Sequence, residues 1–194
     1  MTTAENLQLF LDILTGDFDN SAQVEAELQA GRQIHPLARH VNRIFTHRVL
    51  EKPADFSGEF LLEESYYQYP DQPLDIKPLL FWVKGVSESE VQLASMKMPV
   101  EVDKASIRNN NPETQFRFSE LQVSHLFKPA IYSRNGQAFT VNNPNDWGDG
   151  KTFTLIETLT KDRLEVMELL EQNGVRLTPY GTPILYDRLP QSDQ

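Results

Sequence analysis

Residues 56 to 83 constrain the fold more than any other part of the chain. They read Phe-Ser-Gly-Glu-Phe-Leu-Leu-Glu-Glu-Ser-Tyr-Tyr-Gln-Tyr, then Pro70-Asp71-Gln72-Pro73, then Leu74 to Val83 with Phe81 and Trp82. An aromatic extended run, a proline-marked turn and a second apolar run predict two paired antiparallel strands. Glu63 and Glu64 sit together in the first run. Successive side chains of a strand point to opposite faces, so one glutamate faces inward and the other outward. Glu64 shares its face with Phe60, Leu62 and Tyr66, and Glu63 shares its face with Leu61, Ser65 and Tyr67. The first set holds more large apolar side chains, which predicts that Glu64 and Tyr66 point into the interior. An outward apolar face packed by helices would reverse that assignment.

The flanking sequence extends the pattern. Thr2 and Glu5 stand three apart as in a capping box, Leu7, Phe10, Leu11 and Leu14 follow helical spacing, and Gly16 stands where a helix stops. Phe18 to Ser21 reads as a break, and a second short helix runs through Val24 and Leu28 to Gly31. From Ile34 the texture becomes that of strands. The alternation through Val41, Arg43, Phe45, His47 and Val49 predicts a long one, Lys52 to Asp55 a turn, and Val91 to Met96 a further strand. Residues 100 to 114 read as loop, and Phe116 to Phe127 as a short helix around Ser119. Arg134-Asn135-Gly136 between apolar runs is a hairpin signal; Asn142 to Gly150 reads as loop and Thr152 to Leu159 as strand. Leu164 to Gln172 has helix-friendly composition, whereas Asn173-Gly174 after it argues for a strand hairpin. Pro183 to Arg188 is the last strand. The expectation is one domain over residues 1–194, with a helical segment near 3–31, a β-barrel near 34–189 and a frayed tail at 190–194. Closing eight to ten such antiparallel strands removes their edges and leaves an interior able to hold a small ligand.

Composition excludes several functions. A net charge of −10 argues against nucleic acid and against anionic membranes. The absence of cysteine removes disulfides, thiolate metal sites and cysteine nucleophiles, and fits a cytoplasmic setting. No basic region precedes an apolar core at the start, and no apolar run approaches the ~20 residues of a membrane span. His35, His40, His47 and His125 lack metal-ligand spacing, so no metal is expected. Asn145 to Gly150 does not match a calcium loop.

Candidate site residues follow from the strands. An inward Glu64 would have its pKa raised by desolvation and could hydrogen-bond to or protonate a bound ligand, which makes it the catalytic candidate. Glu63 is its alternative. Tyr66, Tyr67, Trp82 and Tyr132 offer faces on which a flat ligand stacks, although such rings equally fill cores. Arg39 and Arg43 share parity and would meet a ligand carboxylate, neutralise a glutamate, or simply carry surface charge.

The order of these features resembles the CpcT/CpeT family, the T-type phycobilin:phycobiliprotein chromophore lyases. Four segments carry the likeness: Leu9 to Gln23 (helix, then Gly-Asp-Phe-Asp-Asn), Gly58 to Tyr66 (Gly-Glu-Phe-Leu-Leu-Glu-Glu-Ser-Tyr), the hairpin Tyr132 to Phe139, and Leu164 to Leu189. The resemblance implies a mostly β, lipocalin-like antiparallel barrel of about ten strands, and it turns Leu164 to Leu170 from helix to strand. It implies a lyase or bilin chaperone that binds an open-chain tetrapyrrole, with no other cofactor. The bilin would be delivered to a cysteine of a phycobiliprotein subunit through a thioether; a homodimer is also compatible. The chain departs from the family at Pro73-Leu74-Asp75-Ile76-Lys77, where a Tyr-Arg-x-Arg-like run is usual. Only Lys77 offers a cation there for a ligand carboxylate, and the cysteines common in the family's second half are missing. A non-catalytic lipocalin-like carrier of another apolar or amphipathic ligand is the alternative.

Overall fold

The computed structural model describes residues 1–99 and 102–190. Ten strands of the described residues form the ring of the main sheet: β1 (Gly16–Asp19), β2 (Leu37–Ile44), β3 (Glu59–Gln68), β4 (Asp75–Gly85), β5 (Glu90–Lys97), β6 (Ala130–Asn135), β7 (Ala138–Asp146), β8 (Lys151–Leu159), β9 (Arg163–Gln172) and β10 (Ile184–Arg188); two-residue strands at Gln122–Val123 and Val175–Arg176 add to its edges. Neighbours pair antiparallel in the order β8, β7, β6, β5, β4, β3, β2, β1, β10, β9, and β8 pairs with β9 to close the ring. Turn chemistry sets the hairpins. Asn173-Gly174 joins β9 to a short strand, Val175–Arg176, with both turn residues at positive φ, the condition for a type I′ turn. Gly136 opens the two-residue loop between β6 and β7 at φ +63°, where a side chain would be strained.

Helix α1 (Thr3–Leu14) starts at the expected capping box, with the Glu5 amide donating to the Thr2 hydroxyl at 3.2 Å and the Thr2 amide to the Glu5 carboxylate at 2.7 Å. Its apolar stripe, Phe10, Leu11, Ile13 and Leu14, packs into the barrel core with Phe18, Leu61, Val83, Tyr132, Phe139 and Tyr186. The Phe10 ring meets Tyr132 and Phe139 edge-on at 4.9 and 5.1 Å. Helix α2 (Ser21–Gln29) lies outside and buries only Val24. Gln23 fastens it to β10 through the Pro183 carbonyl and the Leu185 amide, each at 3.0 Å.

A second apolar core lies on the other side of the wall. Phe60, Leu62 and Leu80 point outward from β3 and β4 and pack against Phe45, Val49, Ile107 and Phe116. The segment that covers them, residues 102–121, is anchored by a parallel pairing of Val49–Leu50 with Phe116–Arg117.

Several sequence expectations are corrected. Phe18 and Asp19 belong to β1, a barrel strand, and not to a break. The strand from Leu37 ends at Ile44, where Phe45 turns into a 3-10 segment (Thr46–Arg48). Residues 142–146 continue β7 in register with β8. The helix expected after Phe116 is one 3-10 turn, Phe118–Glu120. Leu164 to Gln172 is strand, as the turn and the resemblance implied against local propensity. Most of the expected frayed tail falls outside the described residues.

Candidate functional site

Because α1 fills part of the barrel, the remaining interior is a cavity of about 290 Å³. Its walls are largely apolar: Leu79, Phe81, Leu93, Phe153, Leu155 and Val166, with Leu14 of α1. Into this lining project Glu63, Ser65, Tyr67 and Lys77 from β3 and β4, His40 from β2, Tyr132 from β6, Asn143 and Asn145 from β7, Glu157 from β8 and Glu168 from β9. Phe127 and Lys128, from the segment before β6, complete it.

Three carboxylates therefore share one cavity. Glu157 and Glu168 stand on paired strands, two residues out of register, since Glu157 pairs with Val166 and Leu155 with Glu168. Such diagonal neighbours lie about 7–8 Å apart. Glu63 comes from another part of the ring and accepts a hydrogen bond from the Ser65 hydroxyl at 2.7 Å. The Tyr132 hydroxyl reaches past β7 to donate to Glu157. The Glu157 carboxyl is pushed up to about 8, chiefly by burial; the Tyr132 hydrogen bond opposes the rise, and the nearby Glu63 and Glu168 add to it. Burial raises Glu168 as well, followed by repulsion from Glu63.

His40 lies beside them with Nδ1 3.7 Å from Glu63. Burial holds its imidazole below the ordinary range, so at neutral pH this approach is not an ion pair. Its Nε2 has no hydrogen-bond partner among the described residues. The cations on the cavity are Lys77 and Lys128. Lys77 pairs with Asp75 at 3.2 Å and lies 5.1 Å from the centre of the Tyr67 ring. Beside the cavity, Phe127, Trp147 and Phe153 form an aromatic group, with Trp147 and Phe153 stacked at 5.4 Å.

The sequence-predicted residues divide between two faces of one wall. Glu63, Tyr67, Lys77 and Tyr132 line the cavity. Glu64 and Tyr66 do not; they face outward, and the parity assignment is reversed. The outer face is apolar because residues 102–121, and not the helices, cover it. Glu64 accepts a hydrogen bond from the Asn109 amide at 2.7 Å and one from the Tyr66 hydroxyl, and Arg108 Nε approaches it to 3.7 Å. Burial and this bond push the Tyr66 hydroxyl up to about 12. Glu64 is thus built into the attachment of the covering segment, where it cannot reach a ligand in the barrel. Trp82 also faces outward, stacked on Phe56 and Phe60 with its indole N–H donating to the Ser57 carbonyl at 2.9 Å.

Arg39 and Arg43 point outward too, into a groove of about 590 Å³ shared with Asp17, Val41, His47, Arg48, Glu64, Tyr66 and Asn109. One oxygen of Asp17 is 3.3 Å from Arg39 and the other 2.8 Å from Arg43. Among the described residues no group of three or more His, Asp or Glu side chains is placed to hold a metal, and no helix is long and apolar enough to cross a membrane.

Glu157, Glu168 and His40 were not singled out as site residues from the sequence. Glu157 and Glu168 occupy alternating strands in which a glutamate reads as the solvent side; only the closed ring turns both inward.

No protein-family model and no curated protein matches the sequence. Among solved structures, the chain is similar to the T-type phycobiliprotein lyase CpeT from Prochlorococcus phage P-HM1. The TM-score is 0.56 at 12% identity, and the match covers 95% of this chain and 98% of that one. The closed ring of ten antiparallel strands with its two helices is therefore a CpeT-like fold.

Proposed function

We propose that this chain holds an open-chain tetrapyrrole in its barrel, as a CpeT-like chromophore lyase or bilin chaperone serving a phycobiliprotein subunit. The observation that carries this reading is the cavity's polar pattern. Glu63, Glu157 and Glu168 converge inside an apolar and aromatic lining, while the cations present are Lys77 and Lys128. A bilin is a flat apolar ligand with a central row of pyrrole nitrogens and two propionates. Interior carboxylates suit N–H donors, His40 Nε2 gains a partner, and the lysines suit the propionates. A volume near 290 Å³ is at the small end for ligand pockets, so part of a tetrapyrrole would protrude from the barrel. Protrusion suits a chromophore that is to be handed on. With no cysteine in the chain, the thiol that forms the thioether comes from the acceptor. The attachment adds the thiol S–H across the bilin's exocyclic double bond with no leaving group, so this chain's contribution is conformation and proton placement.

The second reading, a lipocalin-like carrier without catalysis, is favoured by one departure: the stretch Leu74 to Lys77 supplies a lysine rather than arginine forks. Titration with phycocyanobilin followed by visible absorbance and fluorescence tests both. Saturable binding with a red shift is expected, weakened by Glu63→Gln or Glu157→Gln and unchanged by Glu64→Gln. Absence of saturable binding overturns the bilin reading. Binding with no covalent adduct on an added apo-phycobiliprotein subunit leaves the carrier.

A further inference from the structure

The outer groove has its own chemistry. In a chain of net charge −10, it gathers Arg39, Arg43 and Arg48 along one wall. Of its two carboxylates among the described residues, Glu64 is buried and already held by Tyr66, Asn109 and Arg108. The other, Asp17, is gripped by the two guanidinium groups described above. Arg39 and Arg43 start four residues apart on β2, about 13 Å, and converge on this one carboxylate. Their side chains stay 53% and 44% exposed. Exposed ion pairs are weak, so an incoming carboxylate can displace Asp17. Arg48 spends one nitrogen on the Asn111 carbonyl at 2.9 Å and lies over the Phe45 ring, leaving the rest of its fork without an acceptor among the described residues.

We infer that this groove docks an acidic peptide segment of a partner protein, with Asp17 as a built-in stand-in for one of its carboxylates. A protein side-chain carboxylate already sits between Arg39 and Arg43, which shows that the clamp fits that group. On an extended segment, carboxylates two residues apart are separated by about 6.6 Å, so one acid takes the place of Asp17 between Arg39 and Arg43 and a neighbouring one is free to meet Arg48 on the same groove. Both edges of β2 are paired, to β1 and β3, so recognition runs through side chains and not through an added strand. The rest of an acidic surface repels an acidic partner, so the groove also fixes its orientation. The inference does not depend on what the barrel holds.

The test is calorimetric titration of the full chain with hexaglutamate, and separately with inorganic phosphate. Saturable hexaglutamate binding that weakens with added salt is expected, with phosphate binding far more weakly. Arg39→Gln/Arg43→Gln should lose about tenfold or more in affinity at unchanged thermal stability, and Asp17→Asn should bind more tightly than the wild type. Glu120→Gln, an equal charge change outside the groove, should leave affinity unchanged. No saturable binding, equal binding by the double arginine variant, no more gain from Asp17→Asn than from Glu120→Gln, or phosphate binding as tight as the peptide would each overturn the inference. Phycocyanobilin titration of the same variants reads the barrel independently.

Discussion

Adjacent glutamates with opposite fates show how much one position matters in this wall. Glu64 accepts from the Asn109 amide and Tyr66 and meets Arg108. Replacing it with alanine leaves those groups unpaired in a buried place, and a loss of about 1–3 kcal/mol is expected in urea unfolding. Glu157 behaves differently because its carboxyl titrates near 8 in the fold, against an ordinary value of 4.5. A raised carboxyl pKa means that the folded state holds a proton the unfolded state has released. Its favourable contribution is complete below about 4.5 and is lost as pH rises to about 8. Unfolding measured from pH 5 to pH 8 should therefore show Glu157→Gln gaining stability relative to the wild type as pH rises. His40 is common to both proteins and cancels in the difference; a flat difference would refute the assignment. The sequence made the choice between Glu63 and Glu64 visible but pointed the wrong way. Phe60 and Leu62 are apolar because a second core lies outside the barrel, and a single strand cannot say which of two apolar sides is the interior.

Among the elements, hairpin strands with long alternating runs were legible, since periodicity and Asn-Gly turns act locally. The four residues of β1 were not: Gly-Asp-Phe-Asp carries one apolar side chain, and its strand conformation comes from β2 and β10 on either side. The segment 102–121 was equally hidden, because it has little regular structure and earns its place by covering β3 and β4. Phe116 is its apolar anchor. Phe116→Ala should cost about 3–5 kcal/mol in chemical denaturation, as for other buried phenylalanines. The interior cavity is on the far side of the wall, so ligand binding by the folded variant should be unchanged. If affinity falls together with stability, the two cores are not independent.

The whole molecule depends on one seam. Arg188 of β10 donates to the Thr15 carbonyl at 2.7 Å, to Asp12 at 3.4 Å and to Ile13, and its guanidinium lies 4.5 Å from the Phe18 ring centre. These are terminal carbonyls of α1, which lack partners within the helix and favour a cation. Arg188→Ala should cost about 1.5–3 kcal/mol, the range for hydrogen bonds to charged groups, measured by thermal or urea unfolding. Arg188→Lys should recover only part of it, since one ammonium cannot span the same carbonyls.

That seam also sets a timetable. β1 pairs with β10, so a strand made among the first twenty residues waits for one near residue 188 before the ring can shut. A chain emerging from the ribosome exposes α1 with its apolar stripe, and one edge of β1, well before β10 has been made to cover them. Contacts between such distant parts of a sequence form slowly. The ring therefore closes only once the residues near 188 are available, and until then the α1 stripe and one edge of β1 have no barrel to pack into.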